Sequence, residues 1–403
     1  MLKYFYFFSS IVFLCACNDE QPVIQPTLTG FEPAAAGRCE WVRITGSLFD
    51  SIATNNEVRF NGVLAAVEFA NDSVLLVRVP EDAQTGPIEV ATGGQILTST
   101  EQFTLLKGHW RQLPDFPGPS RFQATGFVIN DKIYFGLGTI NGFNYGDFWE
   151  YDPASGIWTQ KADYPGGPIN SAVGFELNGK GYFGLGTDNL GRFFEYDPAN
   201  DIWLQKADFP KGIRNGAFAF TLNNKAYIGG GFSDALTNLN DNSFWQFDPL
   251  MDIWAEVPSS PTGVQRFGAV AFQYGGKGFM GFGGYPSFKD FQVFDPTMST
   301  WSALSVPPLV GSYETWLGSA MMLNDKAYIR LSHQFWSYEP SSNVWSQVAA
   351  PCGNPARSEV GLAAGGKIFL ICGLGQPRFP EVADLPSYIN WNSKQVWEFT
   401  PED

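Results

Sequence analysis

The chain has 403 residues, of which 44% are hydrophobic and only 16% are charged, and its formal net charge is −15. This composition excludes a disordered chain, which would carry few apolar residues. The acidic balance argues against general nucleic-acid binding, which needs clustered Lys and Arg. Aromatic residues make up 16% of the chain beside 44 Gly and 27 Pro. Such a composition favours an all-β protein of many short strands, divided into two or more domains.

Residues 1–17 have the pattern of a secretory signal peptide. Lys3 supplies a positive start, and the apolar run that follows is too short for a comfortable membrane span. The sequence Leu14-Cys15-Ala16-Cys17 resembles a bacterial lipobox, which implies that Cys17 is acylated and anchors the protein. Asn18-Asp19-Glu20 is similar to export signals of surface lipoproteins in the Bacteroidetes. We therefore expect an exported protein on the outer membrane or cell surface, held by its lipid alone; an ordinary signal peptide with incidental cysteines is the alternative.

Three cysteines follow the signal segment, namely Cys39, Cys352 and Cys372. An odd number leaves at least one thiol unpaired within a single chain. Cys352 and Cys372 could pair, or both could be separate buried thiols, and the sequence leaves this open. The cysteines show no metal-ligand spacing, so we expect neither a metal nor another cofactor.

A polar tether over residues 18–26 precedes a segment, residues 27–106, of short alternating stretches that predict one β-sandwich. Gly30-Phe31-Glu32-Pro33 and Val58-Arg59-Phe60-Asn61-Gly62 resemble the IPT/TIG family of immunoglobulin-like domains. The sequence departs from that family at Cys39, where a Gly is common. The resemblance implies a spacer or an interaction module, and we expect a spacer because no cluster of residues suggests chemistry.

Residues 108–403 contain a repeat of 44 to 51 residues, measured between successive tryptophans. In five units a Pro stands five residues before the Trp, follows Asp or Glu, and is preceded by two aromatic residues. The tryptophans of these units are Trp158, Trp203, Trp254, Trp301 and Trp345. The pattern predicts a strand whose aromatic residues pack between sheets, a turn opened by the Asp-Pro pair, and a return strand anchored by the Trp.

Each unit also has an earlier apolar strand, which in the first four units ends in glycines, as in Tyr134-Phe135-Gly136-Leu137-Gly138. Together these features resemble the kelch repeat, which implies a β-propeller. Val396–Pro401 begins a sixth unit without its Trp, while Trp110 has no such unit before it. We therefore predict that His109–Leu113 completes the last blade, which closes a six-bladed ring. The fifth unit departs from the pattern, because Arg330 stands where a glycine is expected.

Arginines precede the innermost strand of several units. Arg121, Arg214 and Arg266 stand thirteen residues before the equivalent aromatic residue, and Arg357 stands twelve before its own. Guanidinium groups bind carboxylates, sulfates and phosphates, and in kelch proteins that bind acidic peptides or sialic acid, arginines at similar positions contact the ligand. We predict that these four arginines bind an anionic ligand at the channel mouth. The alternative is that they bond loop carbonyls between blades.

Catalysis has less support in the sequence. The kelch resemblance suggests a copper-radical sugar oxidase, which needs two His ligands, but the chain has only His109 and His333, and His109 is predicted on an outermost strand. A sugar-modifying enzyme of the sialic acid mutarotase kind is a better alternative, with Glu314 or Glu359 as acid and base. We expect a non-enzymatic binding protein that recognises an anionic glycan or an acidic protein segment.

Overall fold

The computed structural model describes residues 25–188, 190–233, 243–259, 266–284, 288–308, 318–331, 334–352, 356–375 and 393–402. The signal segment and Cys17 lie outside these residues. In the described part, one 3₁₀ turn (Ala53–Asn55) accompanies the strands, and no helix is long and apolar enough to cross a membrane.

The first domain is a sandwich of two sheets. Its strands are β1 (Thr27–Glu32), β2 (Ala35–Ala36), β3 (Trp41–Ser47), β4 (Glu57–Phe60), β5 (Val63–Ala65), β6 (Val67–Ala70), β7 (Val74–Arg78), β8 (Gly86–Thr92) and β9 (Gln95–Leu105). One sheet has the order β1-β3-β7-β6 and the other β2-β9-β8-β4-β5. Alternating residues of both sheets, such as Ile44, Val58 and Phe103, are fully buried in the core between them.

The second domain consists of six four-stranded antiparallel sheets and two short two-stranded pairings, β13 with β14 and β33 with β36. Its strands are β10 (His109–Leu113), β11 (Thr125–Ile129), β12 (Lys132–Gly136), β13 (Thr139–Ile140), β14 (Phe143–Asn144), β15 (Phe148–Asp152), β16 (Ile157–Lys161), β17 (Val173–Leu177), β18 (Lys180–Gly184), β19 (Phe193–Asp197), β20 (Ile202–Gln205), β21 (Phe218–Leu222), β22 (Lys225–Gly229), β23 (Phe244–Asp248), β24 (Ile253–Val257), β25 (Val270–Tyr274), β26 (Lys277–Gly281), β27 (Phe291–Asp295), β28 (Thr300–Ala303), β29 (Ser319–Leu323), β30 (Lys326–Leu331), β31 (Gln334–Glu339), β32 (Val344–Val348), β33 (Ala356–Arg357), β34 (Val360–Ala364), β35 (Lys367–Ile371), β36 (Leu374–Gly375) and β37 (Val396–Thr400). The sheets form blades one to six, with the inner strands β11, β17, β21, β25, β29 and β34.

The ring closes as predicted. Strand β10 pairs antiparallel with β37, with His109 opposite Thr400 and Leu113 opposite Val396. The sixth blade therefore has the order β10-β37-β35-β34, and β10 is its outermost strand. Each inner strand contacts the inner strand of the next blade, and β34 contacts β11. The six-bladed propeller is confirmed.

The repeated tryptophans join blades two to six each to the preceding blade through a hydrogen bond of the indole N–H. The indole Nε1 of Trp203 donates to the carbonyl of Ala162 at 2.9 Å, and that of Trp254 donates to Ala207 at 2.8 Å. Trp110 makes the same bond to Ala349 at 2.7 Å across the closing seam. Their rings pack against aromatic residues between neighbouring sheets, as Trp203 does against Phe148 with ring centroids 4.9 Å apart.

Candidate ligand site at the mouth of the propeller

The inner strands surround a central cavity of about 210 Å³. Two successive layers of its wall are built from twelve equivalent positions, of which eleven hold Gly or Ala. The first layer is Ala124, Ala172, Ala217, Ala269, Gly318 and Glu359, and the second is Gly126, Gly174, Ala219, Ala271, Ala320 and Gly361. Small residues are needed here because six backbones converge. Glu359 is the one charged residue among the described residues that line the cavity.

The cavity opens at a belt of backbone hydrogen bonds. Gln123, Ser171, Gly216, Gly268 and Ser358 hold equivalent positions in five blades, and all have a left-handed backbone with φ between 52° and 67°. The amide of Ser171 donates to the carbonyl of Gln123 at 2.9 Å, Gly216 donates to Ser171 at 3.0 Å, and Gly268 donates to Gly216 at 2.8 Å. These bonds join consecutive blades directly, so the belt fixes the width of the mouth.

The three arginines predicted from equal spacing occupy equivalent places, but their guanidinium groups are inside the blades. Arg121 and Arg214 are 0% exposed and Arg266 is 1% exposed. The Nη1 atom of each donates to a carbonyl sixteen residues later, at 2.7 to 3.0 Å. Each guanidinium therefore links the segment before the inner strand to the end of the second strand of the same blade.

A second partner completes each arginine contact. Asp147 accepts two bonds from Arg121 at 2.6 and 2.7 Å, and Asp290 accepts two from Arg266 at 2.8 and 2.6 Å. Ser243 accepts two from Arg214, one at its hydroxyl at 2.7 Å and one at its carbonyl at 3.2 Å. Burial raises the pKa of Asp147, but the hydrogen bonds and charge of Arg121 outweigh it and hold that pKa below its ordinary value.

The blades without this arginine have a different residue at the partner position, which directly precedes the third strand in blades two and six and is the first residue of β31 in blade five. In blade two that residue is Arg192, which bonds Asp188 at 2.9 Å. In blades five and six it is Gln334 and Gln395, each of which accepts the indole N–H of a Trp two residues later at 3.2 Å. The buried arginines occur only in the blades where an Asp or Ser at the partner position accepts their hydrogen bonds. This correlation indicates a structural role within the blade.

The geometry thus favours the alternative in which the arginines bond carbonyls, although the bonds lie within a blade and not between blades. Equal spacing placed Arg121, Arg214 and Arg266 before the same strand, but spacing alone does not show which way a side chain points. Asp147 and Asp290 were missed; the available signal was an acidic residue directly before the aromatic third strand. Ligand contact by these three arginines stays a prediction, and their burial gives it no support.

Arg357 occupies a different register position. Its backbone lies opposite Leu374, as Phe122 lies opposite Thr139 and Asn215 lies opposite Phe232. It is therefore equivalent to the residue after each buried arginine, which agrees with its spacing of twelve residues instead of thirteen. The side chain of Arg357 lies outside the described part of the structure.

We call the residues at this position the mouth ring: Phe122, Asn170, Asn215, Phe267 and Arg357. Each directly precedes a residue of the hydrogen-bonded belt that lines the cavity. Phe122, Asn170 and Asn215 are partly exposed, while Phe267 is buried and stacks on Phe232 with ring centroids 4.8 Å apart. The Oδ1 atom of Asn215 is buried and accepts no hydrogen bond from the described residues. Among the members whose side chains are described, the ring combines aromatic rings and amides beside the cavity.

A buried ion pair lies between blades five and six. Arg330 and Glu359 are 3% and 8% exposed, and Nε of Arg330 donates to Oε2 of Glu359 at 3.2 Å. Burial raises the pKa of Glu359 to about 7, against the opposing charge and hydrogen bond of Arg330. Nη1 of Arg330 is buried and has no hydrogen-bond partner among the described residues. Arg330, which replaces a glycine of the repeat in blade five, therefore forms an ion pair with Glu359, the one acidic residue among the described residues of the cavity wall.

The remaining candidates are placed as follows. His109 lies on the outermost strand of blade six, as predicted. Cys17, Glu314 and His333 lie outside the described residues. Cys352 is bonded to Cys39 and not to Cys372, which is a buried free thiol. In the described part, no group of three or more His, Cys, Asp or Glu side chains could hold a metal ion.

Comparison with known proteins agrees with both domains. Residues 26–105 match the IPT/TIG domain, and residues 213–261, which contain blade three, match the kelch motif. The solved structure entitled "Structure of YjhT" is similar in fold, with a TM-score of 0.55 and 20% sequence identity over 65% of this chain and 93% of that chain. No curated protein was found to be similar in sequence. The chain is an all-β protein in which an immunoglobulin-like IPT/TIG domain precedes a six-bladed propeller with a kelch motif.

Proposed function

We propose that the protein is an exported, lipid-anchored binding protein that recognises an anionic glycan at the mouth ring of its propeller. The mouth ring is the observation that carries this proposal. Aromatic faces such as Phe122 pack against sugar rings, the Oδ1 of Asn215, which accepts no hydrogen bond from the described residues, suits a hydroxyl donor, and the guanidinium of Arg357 suits a carboxylate or sulfate. In the sequence, Trp316 has the same offset before its inner strand, although it lies outside the described residues.

An acidic protein segment is the other ligand that we predicted from the sequence. It would be favoured by a ring of several free arginines, because a chain of carboxylates needs several cationic partners. The guanidinium groups of Arg121, Arg214 and Arg266 instead form hydrogen bonds inside the blades. The mixture of aromatic and amide side chains that remains supports the glycan instead.

Export is supported by the signal pattern of residues 1–17 and by the disulfide between Cys39 and Cys352. Disulfides form and persist in oxidising compartments outside the cytosol. Replacing Cys17 with Ser should move the protein from the membrane fraction to the soluble exported fraction. Retention of the Cys17→Ser protein in the membrane fraction would contradict the lipid anchor.

The binding proposal is tested with residues 18–403 on an array of sialylated, sulfated and uronic-acid glycans beside their neutral counterparts, with poly-glutamate as an acidic peptide. We expect saturable binding of an anionic glycan. Arg357→Gln should weaken it by about tenfold to a hundredfold, because a charge-assisted hydrogen bond contributes about 1.5–3 kcal/mol.

The matched control is Arg111→Gln, which removes an arginine whose side chain is 67% exposed on the outermost strand of blade six. It should leave binding unchanged. Binding of poly-glutamate alone would replace the glycan with a peptide, and a wild-type affinity in Arg357→Gln would remove the mouth ring from the account.

A second candidate is a sugar-modifying enzyme of the mutarotase kind, and Glu359 is the observation that favours it. An acid and base works best when its pKa lies near the operating pH, and burial brings the pKa of Glu359 to about 7. NMR exchange between the anomers of sialic acid and of neutral sugars tests this activity. Acceleration that Glu359→Gln abolishes would support the enzyme; no acceleration at high protein concentration would eliminate it.

A further inference from the structure

The immunoglobulin-like domain is covalently joined to the propeller. Cys39, two residues before β3, forms a disulfide with Cys352, which follows β32 at the end of blade five, with 5.2 Å between their Cα atoms. Cys39 has a left-handed backbone with φ of 58°, a conformation that favours Gly. In this chain the cysteine stands where related domains often have Gly, and it forms the covalent bond to the propeller.

Polar side chains around the disulfide form hydrogen bonds across the interface between the two domains. Glu40 is 6% exposed, and its Oε1 accepts the amide of Ala350 at 2.7 Å and that of Gly37 at 2.8 Å. Nη1 of Arg78 donates to the carbonyls of both bonded cysteines at 3.1 Å. A carboxylate and a guanidinium of one domain thus satisfy backbone groups of the other, as in a fixed interface.

The same contacts reach the seam at which the ring closes. The carbonyl of Lys107, two residues before β10, accepts a hydrogen bond from the amide of Ala349 at 2.9 Å. Glu402, which follows β37, accepts the amide of Gly108 at 3.0 Å and pairs with Arg38 of the first domain at 3.2 Å. One small region therefore ties together the end of blade five, both strands of the seam and the immunoglobulin-like domain.

We propose that the immunoglobulin-like domain is a clasp that keeps the propeller closed. The seam between β10 and β37 pairs five residues from each strand, whereas the other neighbouring strands of a blade are joined through continuous chain. Opening the seam breaks the hydrogen bond between Gly108 and Glu402. It also breaks the hydrogen bonds that join Ala349 to Lys107 and Trp110. The disulfide and the Arg38–Glu402 pair resist this opening, because they hold these segments to one rigid sandwich.

Hydrogen exchange followed by mass spectrometry tests the clasp on residues 18–403. In Cys39→Ser/Cys352→Ser, amides of β10 and β37 should exchange about tenfold faster or more, since a disulfide over a long loop stabilises by more than the 1.4 kcal/mol that equals tenfold. Amides of β18 and β19 in blade two should keep their wild-type rates. Cys372→Ala is the control, because it removes the free thiol, adds no buried polar group and leaves the disulfide intact, and its seam should exchange at the wild-type rate relative to blade two.

Arg38→Gln provides an independent variant that keeps the disulfide and weakens the second tie, because Arg38 pairs with Glu402 from the first domain. It should also accelerate exchange at β10 and β37 selectively, by about threefold, because a partly exposed ion pair contributes less than a disulfide. Unchanged seam rates in both variants, or an equal acceleration in every blade, would overturn the clasp.

Discussion

Replacing Asp147 with Asn tests whether the buried arginines are internal ties. The amide has the shape of the carboxylate but no charge, and it turns an N–H donor toward a guanidinium that can only donate. Arg121 is 0% exposed and the Asp147 side chain is 19% exposed. Removing one partner of a buried ion pair costs about 3–5 kcal/mol, and the partial exposure of Asp147 places the expected loss near the lower end.

For a protein of this size, a loss of about 3 kcal/mol corresponds to a fall in Tm of about 4 °C, which differential scanning calorimetry detects at pH 7. The effect also has a defined pH dependence. The folded protein lowers the pKa of Asp147 from 3.8, so the stabilisation is fully present above that value and is lost as the pH falls through the lowered pKa. The difference between wild type and Asp147→Asn should therefore shrink in acid.

The control is Glu339→Gln, which removes the charge of a pair with Lys326 in blade five whose side chains are 43% and 46% exposed. It should leave the Tm within about 1 °C of wild type, because exposed ion pairs contribute little. Asp147→Asn with an unchanged Tm and lost glycan binding would refute the structural assignment and return Arg121 to the ligand site.

Three further predictions concern other regions. Gly37→Ala should lower the Tm of the protein by several degrees in the same calorimeter, because the new methyl group would overlap the side chain of Ala349; an unchanged Tm would mean that the domain interface is loose. The folded protein raises the pKa of Glu359 from 4.5 to about 7, so stability should fall by about 3 kcal/mol as the pH rises from 4.5 to 7; urea titrations at several pH values should show this fall in wild type and not in Glu359→Gln. Iodoacetamide added to the unfolded, unreduced protein should label Cys372 and neither Cys39 nor Cys352, as read by peptide mass mapping; labelling of all three would exclude the interdomain disulfide.

The ring could be derived from the sequence because its parts are local and repeated. The aromatic residues and Trp of each unit lie within about fifteen residues, and the incomplete units at the two ends of the repeat complement each other. The structure confirms this reasoning through the pairing of Trp110 with Phe399. Register and blade order follow from short-range pattern, which sequence shows well.

The candidate site depended on side-chain direction and on long-range pairing, which spacing does not encode. A shift of one residue separates Arg121, which is buried, from the position of Arg357 in the mouth ring. Cys39 and Cys352 are 313 residues apart, and three cysteines gave no reason to choose that pair. The sequence marked Arg330 as a departure from the glycine pattern and Glu359 as a candidate acid and base. Their contact depends on the packing of blade five against blade six, which the sequence pattern does not show.

The most direct test of the account is hydrogen exchange of residues 18–403 with and without the anionic glycan that binds best on the array. The account predicts protection of the mouth segments 121–123, 169–171, 214–216 and 356–358, with little change in the outer strands of the blades. Protection confined to the immunoglobulin-like domain or to the outer strands would contradict it.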